Sequence, residues 1–548
     1  MRAHDSLRTA CGMHGITARL FLMLLLLAAV VPAAAGASLW VKTTGSDTTG
    51  DGSMGAPYLT VQYALDLAIA GDTVVVGAGT YTAADYFEGF KFEASGTSSA
   101  PIVLMAAVPR TATLQNYSAS AYHAMRIDRD WVVVDGFKMT TMFTGYRDIV
   151  RVQDANHVVI RNCEIYNFKY DGIDIETGTD ITIQNCTIHH LLAGSFSLQD
   201  DAHGVVAGNS SGIVIEDCAI YYCSGDCFQS DPDREAWDNV IIRRCDLWTG
   251  PLPADAALDD TLFRAGETPG ENALDTKSGS AFPRAHVTVS DSRIHGFRNT
   301  PIVNAAGFNI KENVHVTIDR CRVYDNDWAA RLRGPATYLN AESAWRNNLV
   351  YRNTWGALRF EDDVENLELY HNTFWSNGNH TFYSSPASGT FTCRNNLFDA
   401  RPAGAKPADG NKVAAAADLA DVGANDYHAK STAPFLDTVS LAGAVTADFE
   451  RLGRSTDAGY DPGAYEYHAA APSVTVRAPN QMPRAAAAAA HNPLVADTDP
   501  GLNGTASTDL DGSNEDAIDK KSFRRYHSGC CASEGWASGS GFFGGDFC

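Results

Sequence analysis

The sequence predicts an all-β protein: a right-handed parallel β-helix, a single-stranded solenoid of roughly ten or more coils with a capping helix at its N-terminal end. Three observations predict it. A short apolar strand, then Cys, Ser or Asn, one variable residue and an apolar residue recurs at Cys163, Cys186, Cys218, Cys245, Ser292, Cys321, Asn348, Asn372 and Asn396. The steps run from 23 to 32 residues except for one of 47, which marks an insertion. Apolar and polar residues alternate within each copy, so each strand has one face to bury, and a repeat this short cannot enclose a core alone. Copies must therefore stack, about 4.8 Å apart, which turns the repeated position into an internal ladder.

Taken in chain order, Arg19, the apolar run Leu20 to Val31 and the small residues Ala35-Gly36-Ala37 form the three-part pattern of a cleaved signal peptide, assigned to residues 1–37. Its twelve apolar residues are too few to span a bilayer, and no later stretch is a candidate span. The chain is expected to be secreted, extracellular or periplasmic. Val61, Ala64, Leu65 and Ala68 follow helical spacing, marking a short amphipathic helix that plugs the open end of the stack. The coils are assigned to residues 38–400 and a closing segment to 401–467, ending Asp461-Pro-Gly-Ala-Tyr-Glu-Tyr467, whose last strand covers the C-terminal edge. Residues 468–548 read as an Ala- and Pro-rich linker and a disordered, low-complexity tail.

The chain has 12 cysteines, and an exported protein ordinarily pairs them. Here most occupy the ladder, where Ser and Asn replace them, so they are expected as packing residues. Cys223 and Cys227 fall outside the ladder and form a candidate pair. A formal net charge of −23 repels nucleic acid and favours bound cations.

Each coil has a second strand after the ladder strand, and aligning these strands shows what stands on one outer face. Along the axis it reads Asp174 and Glu176, then Asp201 and His203, then Asp226, Gln229 and Asp231, then Asp275 and Lys277, then, two coils further, Arg331 and Arg333, and finally Arg359 and Glu361. Acid gives way to base. Lys277 is expected about one coil, ~5 Å, from Asp226, and Arg331 about three coils, ~15 Å. The carboxylates Asp201, Asp226, Asp231 and Asp275 are candidate ligands for Ca2+, which takes six to eight oxygens in irregular geometry. Arg331, Arg333 and Arg359 are candidate binders of an acidic polysaccharide, and Lys277 is the candidate catalytic base.

The entry segment carries Gly45-Ser-Asp47, Gly52-Ser53, Pro57, Gln62-Tyr-Ala64, Gly71-Asp72-Thr73 and Gly79-Thr80-Tyr81. These residues resemble the entry segment of bacterial pectate-lyase-like β-helix proteins, including polysaccharide lyase family nine. The resemblance implies a calcium held by aspartates and a lysine base on adjacent coils, carried over onto Asp201, Asp226 and Lys277. Gln229 departs from the family, which has a further aspartate there, and Asp275 stands at the register of the lysine, with Lys277 two residues on.

Three functions remain open on the residues alone. One is a calcium-dependent lyase cleaving a uronate polymer by β-elimination. Another is a glycoside hydrolase using Asp226 with Asp231 or Asp275. The third is a non-catalytic extracellular glycan-binding or adhesive protein. In the plainest reading, Asp275 and Lys277 form an ordinary surface ion pair and Asp171, Asp201 and Asp226 cap the turns before their strands. The protein is expected to be monomeric, with an acidic polysaccharide as its partner.

Overall fold

The computed structural model describes residues 36–468 except 85–87, 117–121, 142–147, 231–235, 255–262, 304, 334–340, 361–363, 379, 385–388, 403–408 and 455–458. Residues 1–35 of the expected signal peptide, Asp231, Glu361, and the linker and tail from 469 lie outside the described residues.

Apolar residues at every second strand position build three stacks that meet inside the solenoid. One runs Ile160, Ile183, Ile215, Ile242, Val289, Ile318 and Trp345 in register. A second runs Ile173, Val205, Phe228, Leu274, Phe308, Ala330 and Leu358. The third runs Ile165, Ile188, Ile220, Leu247, Ile294, Val323 and Val350. All of these side chains are buried, and together they form one continuous core. Among the described residues the strands form a 22-stranded and a 13-stranded parallel sheet. The larger sheet holds the first two stacks, joined where the long strands Ile173–Gln184 and Val205–Glu216 continue from one face to the next. Parallel crossovers are right-handed, and the molecule is a right-handed parallel β-helix.

The repeated Cys and Asn positions all point inward and form the expected ladder. In the later coils the backbone N–H of Cys321, Asn348, Asn372 and Asn396 donates to the Oδ1 of Asn348, Asn372, Asn396 and Asn411, respectively, at 2.8–3.0 Å. A second inner ladder, Asn326, Asn353 and Asn377, links the same coils at another corner. Cys223 and Cys227 are buried free thiols rather than a pair, as are the six described ladder-strand cysteines.

The helix Val61–Leu67 is capped by Thr60, whose side chain accepts from the Tyr63 N–H, and buries Val61, Ala64 and Leu65 against the first coils. At the other end, Lys412–Val413 adds a last strand beside Leu397–Phe398. The rest of the closing segment lies along the outer face of the 13-stranded sheet, where Tyr427, Phe435, Phe449 and Tyr465 pack on Leu349, Tyr351 and Trp375. A fully buried Arg454–Glu466 pair ties it down. Among the described residues no helix is long and apolar enough to cross a membrane.

Candidate functional site

The outer side of the second stack carries the predicted face, and strand pairing fixes which residues are neighbours. One row runs Arg126, Arg151, Asp174, Val206, Gln229, Asp275, Asn309, Arg331 and Arg359. Two residues further along the same strands stand Lys277, Lys311 and Arg333. The pairing puts Asp275 one coil from Gln229 and Arg331 two coils beyond Asp275, as the alignment expected. The coil between them, Ala306–Lys311, was not named in the sequence reading; its Asn309 and Lys311 repeat the spacing of Asp275 and Lys277.

Although this face points outward, its centre is buried. Asp226, Asp275, Lys277, Lys311 and Arg331 are all buried, Asp226 completely, while Asp201, Arg333 and Arg359 are half-buried. The Asp275 carboxylate lies between two ammonium groups, with its Oδ2 3.5 Å from Lys277 Nζ and 3.1 Å from Lys311 Nζ. Among the described residues, its Oδ1 and the neighbouring Asn309 Oδ1 are buried acceptors with no hydrogen-bond donor. The Lys277 strand is held from behind: Ser230 accepts the Lys277 N–H at 2.6 Å, and Trp237 Nε1 donates to the Lys277 carbonyl at 2.8 Å. Arg359 lies over the Trp328 ring, 6.0 Å from its centre.

The residues at the start of these strands form an edge ladder. Asp171 Oδ1 accepts the His203 N–H at 2.6 Å, His203 Nδ1 accepts the Asp226 N–H at 2.8 Å, Asp226 Oδ1 accepts the Asn272 N–H at 3.0 Å, and Asn272 Oδ1 accepts the Ala306 N–H at 3.2 Å. Asp171 and Asp226 thus satisfy backbone groups, as turn-capping aspartates do. Asp226 also takes Asn272 Nδ2 at 2.9 Å and Gln229 Nε2 at 3.1 Å. Burial first, then the nearby charge of Asp275, pushes its carboxyl well above the usual range. Burial lowers His203.

Two further charged residues belong here that the sequence reading did not name. Glu271, just before the Asn272 strand, is pushed well up by burial and by the charges of Asp201, Asp226 and Asp275. Arg151 is buried with Asp148, Asp174 and Glu176 around it; its Nη1 is 3.0 Å from Asp148 and its Nε 3.0 Å from Glu176, and it also meets Asp174. Asp174 and Glu176 are therefore neutralised within the fold. Arg151 sits in alternating Val-Arg-Val, the same pattern as the other outward charges, so it was legible in principle.

Among the described residues the Asp201 and Glu271 carboxylates take no hydrogen bond, and Asp201, Asp226 and Glu271 crowd one another electrostatically. Oxygen donors under mutual repulsion fit a hard cation in type. The fit ends there. No group of three or more described His, Cys, Asp or Glu side chains is placed to hold a metal ion, and Asp275 faces two lysines.

Residues 39–256 match the family model described as "Pel9A-like, right handed beta helix region", and residues 269–414 match "Right handed beta helix region". Among characterised proteins, the chain is 27% identical over 183 residues to pectate lyase PEL9 of Emericella nidulans, an alignment covering 32% of this chain and 38% of that protein's length. Among solved structures, pectate lyase Pel9A is similar at 16% identity and a TM-score of 0.47, covering 79% of this chain and 97% of its own. A rhamnogalacturonan lyase is similar at 15% identity and a TM-score of 0.47, covering 70% and 90%.

Proposed function

We propose that this right-handed parallel β-helix protein, part of which resembles pectate lyases, is a secreted polysaccharide lyase acting on a uronate-containing polymer. The observation that carries the reading is the pair Lys277 and Lys311 at Asp275, on a face that continues into Arg331 and Arg359. The resemblance to pectate lyases supports the reaction class.

In β-elimination the proton beside a uronate carboxylate leaves, the β glycosidic C–O bond breaks, a C=C bond forms, and the departing oxygen takes up a proton. Lys277 in its neutral form is the base. Lys311, on the adjacent coil, shares the Asp275 carboxylate with Lys277 and supplies a further cation toward the uronate carboxylate. Arg331, Arg333 and Arg359 hold the carboxylates of further sugar units, since guanidinium matches carboxylate geometry. Asp275 itself is bound between the two lysines and takes no direct part in the elimination. Trp237 and Ser230 hold the Lys277 backbone in place, which orients the base.

The test is incubation of the purified protein with pectate, alginate and chondroitin, following the ultraviolet absorbance of the unsaturated product with calcium and then with excess chelator. A rise that Lys277→Ala removes supports the proposal, and its response to chelator tests the calcium that the sequence resemblance implies. Cleavage without unsaturation would move the site to hydrolysis, and binding without cleavage to a glycan-binding protein.

A further inference from the structure

We infer that His203 is a further catalytic residue of this face, a neutral imidazole whose Nε2–H is held as a fixed hydrogen-bond donor to the substrate's carboxylate. The inference rests on the reading of the face as a uronate site.

The proton's position follows from one hydrogen bond. His203 Nδ1 is 2.8 Å from the backbone N of Asp226. A backbone amide only donates, so Nδ1 is the bare acceptor and the ring's one proton is on Nε2. The ring is also clamped. The backbone N–H of His203 donates to Asp171 Oδ1 at 2.6 Å, and the next coil leaves out a side chain beside the ring: a Cβ at Gly225 would stand 2.4 Å from Nδ1 and 2.5 Å from Cε1. His203 is only 5% exposed, yet among the described residues no hydrogen bond takes its Nε2 proton, and Asp201, Asp275 and Lys277 are all within electrostatic reach of the ring.

The edge ladder asks each rung only for an acceptor. Asp171, Asp226 and Asn272 provide one with an oxygen, and the donor of Asn272 is taken by Asp226. Among the described residues, His203 is the rung whose ring donor gives no hydrogen bond to its neighbours on the ladder. A neutral N–H fixed in a buried site needs no reorganisation when negative charge grows on a bound carboxylate as the neighbouring proton departs, so it stabilises the transition state more than the ground state. The imidazole transfers no proton in this role.

The test combines spectroscopy and kinetics on the full protein. In long-range 1H–15N spectra, with His203→Gln used to assign the ring, His203 is expected to show a protonated Nε2 and an unprotonated Nδ1. Adding a saturated galacturonate or mannuronate trimer is expected to move Nε2 more than Nδ1. His203→Ala is expected to lower kcat by roughly 10²- to 10³-fold, and His203→Gln, which can accept with one end and donate with the other, to recover much of that. A protonated Nδ1, an Nε2 unmoved by a bound trimer, or an unchanged kcat in folded His203→Ala overturns the inference. Trimer-induced movement of Nε2 in a protein that never forms unsaturated product would sink the lyase reading and keep the donor. Elimination with unchanged kcat in His203→Ala would do the reverse. If His203→Ala fails to fold, the spectra of the native protein decide.

Discussion

Two ladders run along this molecule and do the same mechanical work with different chemistry. Inside, Asn348, Asn372, Asn396 and Asn411 tie each coil to the next through backbone N–H groups. On the outer edge, Asp171, His203, Asp226 and Asn272 do so as well. Where only an acceptor is needed, amides suffice at every rung and carry no charge to bury. The outer ladder bears two buried carboxylates and an imidazole instead, at a cost in desolvation that acceptor duty does not require. That excess is the physical mark separating a site from a scaffold on this fold.

The largest effect is expected inside. Asn372→Ala strips the Asn348 N–H and Nδ2 of their acceptor and the Trp345 carbonyl of its donor, all buried. At about 1–3 kcal/mol per buried orphan, a loss of roughly 3–9 kcal/mol is expected in chemical denaturation, with kcat of the surviving folded fraction unchanged. A similar loss of kcat in that fraction would erase the distinction between the ladders. Asp226→Asn tests the other side. Its amide oxygen keeps the acceptor for Asn272, while the raised carboxyl is removed. Stability is expected to hold or rise, and activity to fall ~100-fold, about 2.7 kcal/mol of barrier.

How much of this was legible depended on periodicity. The inner ladder could be read because one position recurs with a narrow choice of residues, and the outer charges because a strand's alternation fixes which side each residue takes. Lys311 was hidden by the alignment, which passed over its coil, and Glu271 because it stands before its strand, where alternation says nothing. The burial of the face was also hidden: alternation says which way a residue points, not how closely the long side chains of neighbouring coils pack on one another. The closing segment's course along the 13-stranded sheet follows from Tyr351 and Trp375, whose outward apolar rings need a cover.

A smaller effect separates the ladders by pH. Asp327, next to the inner-ladder Asn326, has its carboxyl raised to about 7 by burial, against a weaker pull down from Arg298. The native state therefore binds a proton that the unfolded chain releases above about 4. Its contribution is full below about 4 and is lost as pH rises through about 7, because stability falls with pH wherever the native state binds more protons. Melting temperatures between those limits should fall with rising pH, and Asp327→Asn should flatten that slope. An unchanged slope in the variant would assign it to other groups.

The smallest effect concerns the early coils, where the inner ladder is built from thiols. Cys218 is buried, its Sγ accepts the Cys186 N–H at 3.4 Å and donates to the Glu216 carbonyl at 3.2 Å. Ser292 already fills the same rung two coils on, where its hydroxyl takes the Cys245 N–H at 3.0 Å and gives to the Ser290 carbonyl at 2.7 Å. A hydroxyl is smaller than a thiol and bonds more strongly, so the cavity it leaves and the hydrogen bonds it shortens oppose each other. Cys218→Ser is expected to change stability by less than about 1.5 kcal/mol, read from the denaturation midpoint, and to leave kcat untouched. A large loss would mean that the thiol's volume, rather than its capacity to accept and donate, holds these coils together. The early and late halves of the inner ladder would then be different devices: one filled by size, the other joined by hydrogen bonds.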